Sequence, residues 1–250
     1  MTVLAIDIGG THVKIRTSDQ KEVRKFVSGN TLTPRKMVEG VKKLAKGWKY
    51  DVVAIGYPGP VLRGRPVSEP RNLAKGWVGF NFARAFKRPV KIVNDAAMQA
   101  LGSYRKGTML FLGLGTGLGS TLIDNGIVEP MEIGHLPYRK GTYEDYVGLH
   151  GLEKHGKRKW RRYVADVVER LKAALEPTEV VLGGGNVKEV KTLPPGCRAG
   201  DNANAFLGGF RLWDEKERKH GTSSQSFSME RSRRSLRQNQ SAASAKAFRR

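Results

Sequence analysis

Cysteine is almost missing from this 250-residue chain, with Cys197 its single thiol. One cysteine excludes an internal disulfide framework and any zinc site built from several thiolates. No apolar run approaches the ~20 residues that a membrane-crossing helix needs. The opening Met-Thr-Val-Leu-Ala-Ile-Asp has neither the length nor the basic front of a secretory signal. Together these absences lead us to expect a soluble cytoplasmic protein with no membrane partner. Acidic residues are also scarce: 23 Asp and Glu face 45 Lys and Arg, for a formal net charge of +22. At 39% hydrophobic residues the chain is not disordered, and its length supports one large domain or two small lobes around a real core.

The positive charge is unevenly spread. Asp214 to Arg250 holds ten Lys/Arg against four Asp/Glu, which leaves residues 1–213 with 35 basic and 19 acidic side chains. A body this basic suits a polyanionic partner such as polyphosphate or nucleic acid, or else a surface charged for solubility. The last 37 residues carry eight serines and one branched aliphatic residue, Leu236. Such a segment buries too little apolar surface to offset its chain entropy. We therefore expect a disordered basic tail over 214–250, either idle or able to bind nucleic acid.

Within 1–213, apolar runs alternate with glycine turns and helical patterns. Strands are predicted over Thr2–Ile8, Val13–Thr17, Glu22–Ser28, Val52–Tyr57, Val90–Val93, Met109–Leu112, Gly119–Ile123 and Val180–Leu182. Thr33-Pro34 opens a helix running to about Lys46, with Pro at the first helical position. A second helix is predicted over Asp95–Tyr104 and a last one over Ala203–Trp213. Trp160, Val164, Val167, Val168, Leu171 and Leu175 fall on one face of a long amphipathic helix. This order indicates an α/β protein.

Three glycine turns follow strands. In Asp7-Ile8-Gly9-Gly10-Thr11-His12-Val13-Lys14, the glycines let backbone N–H groups approach a phosphate, with Thr11 and Lys14 adding a hydroxyl and a charge. The same pattern also reads as a tight hairpin. Asp7 at the strand end suits Mg²⁺, directly or through water. Gly113-Leu114-Gly115-Thr116-Gly117-Leu118-Gly119 is neither a Rossmann fingerprint, since a strand follows it, nor a Walker loop, since Lys-Ser/Thr is missing. The third is Gly183-Gly184-Gly185-Asn186. Asp95, between a strand and a helix, reads either as a helix cap or as a general base for a substrate hydroxyl. Glu132, His135 and Glu144, with Asn94, form a set suited to the hydroxyls of a sugar. His155-Gly156-Lys157-Arg158-Lys159-Trp160-Arg161-Arg162 is a dense basic patch, either a solvated face or an attraction for a long polyanion.

Taken in order, Asp-Ile-Gly-Gly-Thr, Gly-Tyr-Pro-Gly-Pro, Asn-Asp, Leu-Gly-Thr-Gly, Glu-Ile-Gly-His and Leu-Gly-Gly-Gly resemble the ROK (repressor, open reading frame, kinase) sugar kinases, most of all the bacterial polyphosphate glucokinases. The resemblance covers about Val3 to Trp213. It implies a two-lobed actin-like ATPase fold, hexokinase-type and ribonuclease H-like, with a central cleft. Residues 1–93, completed by the helix 203–213, would make one lobe and 94–202 the other. It implies further that Asp95 is the base acting on the 6-hydroxyl of glucose or a related hexose, the donor being polyphosphate or ATP with Mg²⁺. Asn94, Glu132, His135 and Glu144 match sugar-binding positions, with Gly59 and Asn72 in the same pocket. Gly9, Gly10, Thr11 and Lys14 match one phosphate motif, and Gly115, Thr116 and Gly117 a second. Gly183, Gly184, Gly185 and Asn186 match the nucleotide side. Many members carry a cysteine-rich zinc loop, but Leu136–Tyr143 is short and holds no cysteine, so no structural zinc is expected. No helix-turn-helix segment precedes Asp7, so by this resemblance we expect a kinase and not a member of the repressor branch. A homodimer is implied by resemblance alone. Readings left open are an ATP-only hexose kinase and a non-catalytic sugar-sensing or nucleic-acid-binding protein.

Overall fold

The computed structural model describes residues 1–214, so the expected tail over 214–250 lies, but for its first residue, outside the described residues. Residues 1–213 form one compact unit built on two five-stranded sheets.

In the first sheet, β1 (Val3–Ile8) sits between β2 (His12–Thr17) and β4 (Val52–Tyr57), with β3 (Arg24–Val27) and β7 (Val90–Asn94) at the edges. The short ladder of β5 (Val61–Leu62) and β6 (Arg65–Pro66) interrupts the chain between β4 and β7. β1 and β4 are buried at every position, as near-continuous apolar strands covered on both faces are. β2 alternates buried and half-buried residues. The strands β1, β2 and β3 run antiparallel, whereas β1, β4 and β7 are parallel. Helix α1 (Pro34–Leu44) begins where Thr33 Oγ1 accepts the Lys36 N–H at 3.3 Å and buries Met37, Val38 and Val41. A short α2 (Phe82–Phe86) and the buried Trp77 complete this core.

The second sheet repeats the plan. After α3 (Asp95–Ser103), β8 (Thr108–Leu114), β9 (Leu118–Asp124) and β10 (Ile127–Met131) form an antiparallel meander. The ladder β11 (Pro137–Tyr138) and β12 (Gly141–Thr142) leads into α4 (Tyr143–Val147) and α5 (Leu149–Leu175). Then β13 (Glu179–Gly183) joins parallel to β8, and β14 (Cys197–Ala199) parallel to β13. Each sheet thus has three antiparallel strands followed by two parallel ones, the same topology twice. Trp160, Val164, Val167, Val168 and Leu171 bury the predicted face of α5, while Leu175 is half-buried. Gly156, at φ 71°, breaks that helix within its basic stretch.

Helix α6 (Asn204–Arg211) crosses α3 backbone to backbone. A Cβ on Gly102 would strike the Asn204 carbonyl, and one on Gly208 the Met98 carbonyl. The same helix lies on β1 and β4, where Gly209 faces Ala5 and Ala54. The elements that patterning did not predict, α2, α4, β10, β14 and the two-residue ladders, are short and set by their neighbours. Among the described residues, no helix is long and apolar enough to cross a membrane.

Candidate active site

The carboxyl ends of β1, β4 and β7 point into one cleft of about 770 Å³, the customary place for a ligand beside parallel strands. Asp7 is the penultimate residue of β1 and is 6% exposed. Its cross-strand partner Lys14 brings Nζ to 3.5 Å from Oδ2. Burial raises the Asp7 pKa above the usual carboxylate range, and the Lys14 charge opposes that rise.

Asp95 opens the helix after β7. The cap itself is Asn94, whose Oδ1 accepts the Ala97 N–H at 3.1 Å while its amide donates to the Gly59 carbonyl at 3.2 Å. Asp95 is therefore the first helical residue, and of the two readings the capping one passes to its neighbour. Its Oδ1 accepts the Ala96 N–H at 2.8 Å. Burial first, then the negative charges of Asp7 and Glu132, push its pKa up to about 7. Gly56 makes room for this approach: a Cβ there would lie 2.5 Å from Met98 Cε and 3.4 Å from Asp95 Cα. The outcome is a carboxyl group able to take or hold a proton near neutrality.

The glycine turns form the adjoining walls. Gly9-Gly10-Thr11 is a tight hairpin between β1 and β2, as one reading had it, and it also lines the cleft. Ser28 Oγ donates to the Gly9 carbonyl at 2.7 Å and fixes the turn from outside. Gly115, Thr116 and Gly117 join β8 to β9, and their carbonyls are held from two sides. The Leu149 N–H, at the start of α5, reaches the Gly115 and Thr116 carbonyls at 3.0 and 3.1 Å. Asn186 donates its side-chain amide to the Gly115 carbonyl at 3.0 Å and its backbone N–H to Leu114 at 2.9 Å. The second and third turns are thus one hydrogen-bonded unit. A Cβ on Gly115 or Gly185 would meet nothing within 4 Å, so backbone is open to a ligand there. Gly184 and Gly185 line the cleft with Asn186, whereas Gly183 is buried at the end of β13 opposite Gly113.

Against the second of these turns stands the polar cluster. Glu132 precedes a 3-10 turn over residues 133–135, and Glu144 lies on α4, whose start is fixed by a capping box between Thr142 and Asp145. His135 brings Nδ1 to 3.3 Å from Glu144 Oε1 and Nε2 to 3.7 Å from Glu132 Oε2. Gly59 and Asn72 line the same cleft. Sequence reasoning missed Arg71, whose Nη1 donates to Glu144 Oε1 at 3.1 Å and whose Nη2 lies 3.4 Å from His135 Nε2. No local pattern marks it, because its partners lie more than 60 residues away.

The basic patch borders the third turn. Lys157 Nζ is 2.8 Å from Glu189 Oε2, and Arg161 Nε donates to the Glu189 carbonyl at 2.5 Å, three residues after Asn186. His155 stacks on Tyr146 and Trp160 is buried, so the exposed cations of the stretch without an ion pair among the described residues are Arg158, Lys159 and Arg162.

The ROK family model matches residues 3–145. The polyphosphate glucokinase of Mycobacterium tuberculosis is 28% identical, over 72% of this chain and 76% of that protein. The solved inorganic polyphosphate/ATP-glucomannokinase from Arthrobacter sp. strain KM superposes with a TM-score of 0.69 at 25% identity, covering 83% of this chain and 96% of that one. A ROK family transcriptional regulator, homolog of the E. coli MLC protein, superposes with a TM-score of 0.67 at 14% identity, over 83% and 76%, and shares the fold. The expected actin-like ATPase fold is the one this chain adopts. With more than half of its length matched by the family model, and that fold around the cleft, the chain belongs to the ROK family.

Proposed function

We propose that this protein transfers the terminal phosphoryl group of polyphosphate, and of ATP as well, to the 6-hydroxyl of glucose or a closely related hexose. The observation that carries the reading is Asp95: a carboxyl group tuned to about pH 7, between glycine turns and a cluster of hydroxyl-binding side chains. In this reading 1–93 with 203–213 form one lobe and 94–202 the other, in a cytoplasmic enzyme.

Glu132, His135, Glu144 and Asn94 hold the hexose, with Asn72 and the Gly59 backbone closing the pocket. Asp95 accepts the proton of the 6-hydroxyl as that oxygen attacks the terminal phosphorus. The new O–P bond forms while the bond to the bridging oxygen breaks, and the shortened phosphate chain leaves with the electron pair. Phosphoryl transfer asks for positioning and charge neutralisation more than covalent chemistry. The Gly9–Thr11 and Gly115–Gly117 backbones and Lys14 supply donors and charge for the phosphates, and Gly184–Asn186 borders the donor's far end.

Mg²⁺ fits this end of the cleft, since it takes one or two carboxylates together with waters and substrate phosphates. Asp7, a buried carboxylate beside a second one, would hold it. Among the described residues no group of three His, Cys, Asp or Glu forms a cage, so water and the donor would complete its shell. Bound there, the cation offsets the negative charge of the phosphate oxygens. Polyphosphate is favoured by the exposed Arg158, Lys159 and Arg162, on the same helix as Lys157 and Arg161, which reach Glu189 just after the third turn, since a long anion gains from several cations at once.

The test is hexose 6-phosphate formation with Mg²⁺ and either donor. Turnover lost in Asp95→Asn supports the reading. Hexose binding without turnover from either donor moves the chain to the sugar-sensing class instead.

A further inference from the structure

Arg71 is a cation on the rim of the cleft, 73% exposed yet anchored on Glu144 and His135 of the polar cluster. Among the described residues, Lys14 and Arg71 are the only Lys and Arg side chains that line this cleft, and each stands on a carboxylate: Lys14 on Asp7, Arg71 on Glu144. An exposed ion pair by itself is worth little, but the backbone beneath Arg71 is fixed. The Glu69 carboxylate accepts the N–H groups of Gly76 and Trp77 at 3.0 Å and of Val78 at 3.3 Å. Trp77 is fully buried under the loop, and its indole N–H donates to the Ala74 carbonyl at 2.7 Å. The guanidinium is therefore delivered to Glu144 by a clamped loop.

On its partners, Arg71 and His135 both address Glu144 Oε1. A proton on His135 Nδ1 satisfies that contact and turns the Nε2 lone pair toward Arg71 Nη2. The other carboxylate oxygen, Oε2, faces Gly117, where a Cβ would stand 2.5 Å away. Glu144 thus has Oε1 held by two partners while Oε2 packs against the Gly117 backbone. A guanidinium has five N–H donors, and two are engaged here, which leaves three on an exposed side chain that lines the cleft.

Resting on the sugar-kinase reading above, we propose that Arg71 is a positioning and selectivity residue for the hexose. It holds Glu144 as an oriented acceptor and offers its remaining donors to one hydroxyl of the sugar. A lysine in its place keeps the charge but cannot span Glu144 and His135 with a planar fork.

The experiment measures steady-state kinetics and calorimetric hexose binding for wild type, Arg71→Ala and Arg71→Lys, with glucose and its mono-deoxy analogues. A charge-assisted hydrogen bond corresponds to about a tenfold or larger change. We expect Arg71→Ala to raise the hexose KM and weaken hexose binding by about tenfold or more, with donor KM unchanged and Arg71→Lys recovering only part. For one deoxy analogue the penalty shrinks, which identifies the hydroxyl concerned. Equal penalties for every analogue, or hexose and donor KM rising together, would make the role structural and overturn the proposal. Should wild type turn over no hexose, the kinase reading falls, and binding alone decides for Arg71. Unchanged binding, or no binding by wild type, overturns it.

Discussion

At Asp95 the burial that raises the carboxyl pKa works against the fold. Its folded pKa of about 7 lies above the ordinary carboxylate value of 3.8, so between these values the native state holds a proton that the unfolded chain has released. Stability is full below the unfolded pKa and declines as pH rises through the folded one. Asp95→Asn should therefore stabilise the protein by a few kcal/mol, on the order of 2–4, at pH 8. The gain should vanish toward pH 4, as read by denaturant melts at both values; a difference independent of pH would contradict the assignment. The same titration predicts a hexose kcat/KM that rises with pH through about 7 as the base loses its proton. A flat profile from pH 5 to 8 would count against it.

Elements set the glycine turns, and the surroundings of each glycine predict different outcomes. A Cβ on Gly115 meets open space, so Gly115→Ala should leave the melting temperature within about 2 °C while raising the donor KM. A Cβ on Gly184 would stand 2.5 Å from the Leu114 carbonyl oxygen, at φ 83°. Gly184→Ala should thus cost about 2 kcal/mol or more of stability in chemical denaturation. Most of this scale was legible in the sequence, because β1, β4 and β13 are largely apolar runs leading into glycine-containing turns, and α5 keeps its buried face at helical spacing. The break at Gly156 and the short ladders were not, since pairing partners and backbone dihedrals, not periodicity, decide them. At the site, Asp7, Asp95, Glu132, His135 and Glu144 stand out as chemistry-bearing residues at strand and turn ends. Arg71 does not, because a loop arginine acquires meaning only when folding brings Glu144 to it.

Over the whole molecule, the excess of basic charge makes donor preference an electrostatic question. Replacing Arg158, Lys159 and Arg162 together by Glu should raise the polyphosphate KM by about tenfold or more at low salt and leave the ATP KM nearly unchanged. Added salt should weaken wild-type use of polyphosphate far more than use of ATP; parallel losses for the two donors would reduce the patch to ordinary surface. The central claim, however, is phosphoryl transfer to a hexose hydroxyl with Asp95 as base. Its most direct test is the initial rate of glucose 6-phosphate formation by wild type and Asp95→Asn, with Mg²⁺ and polyphosphate or ATP. The account predicts product from wild type and a loss of about 10²–10⁴-fold in the variant, the usual contribution of a general base. Equal rates for the two proteins, or no product from wild type with either donor, would contradict it.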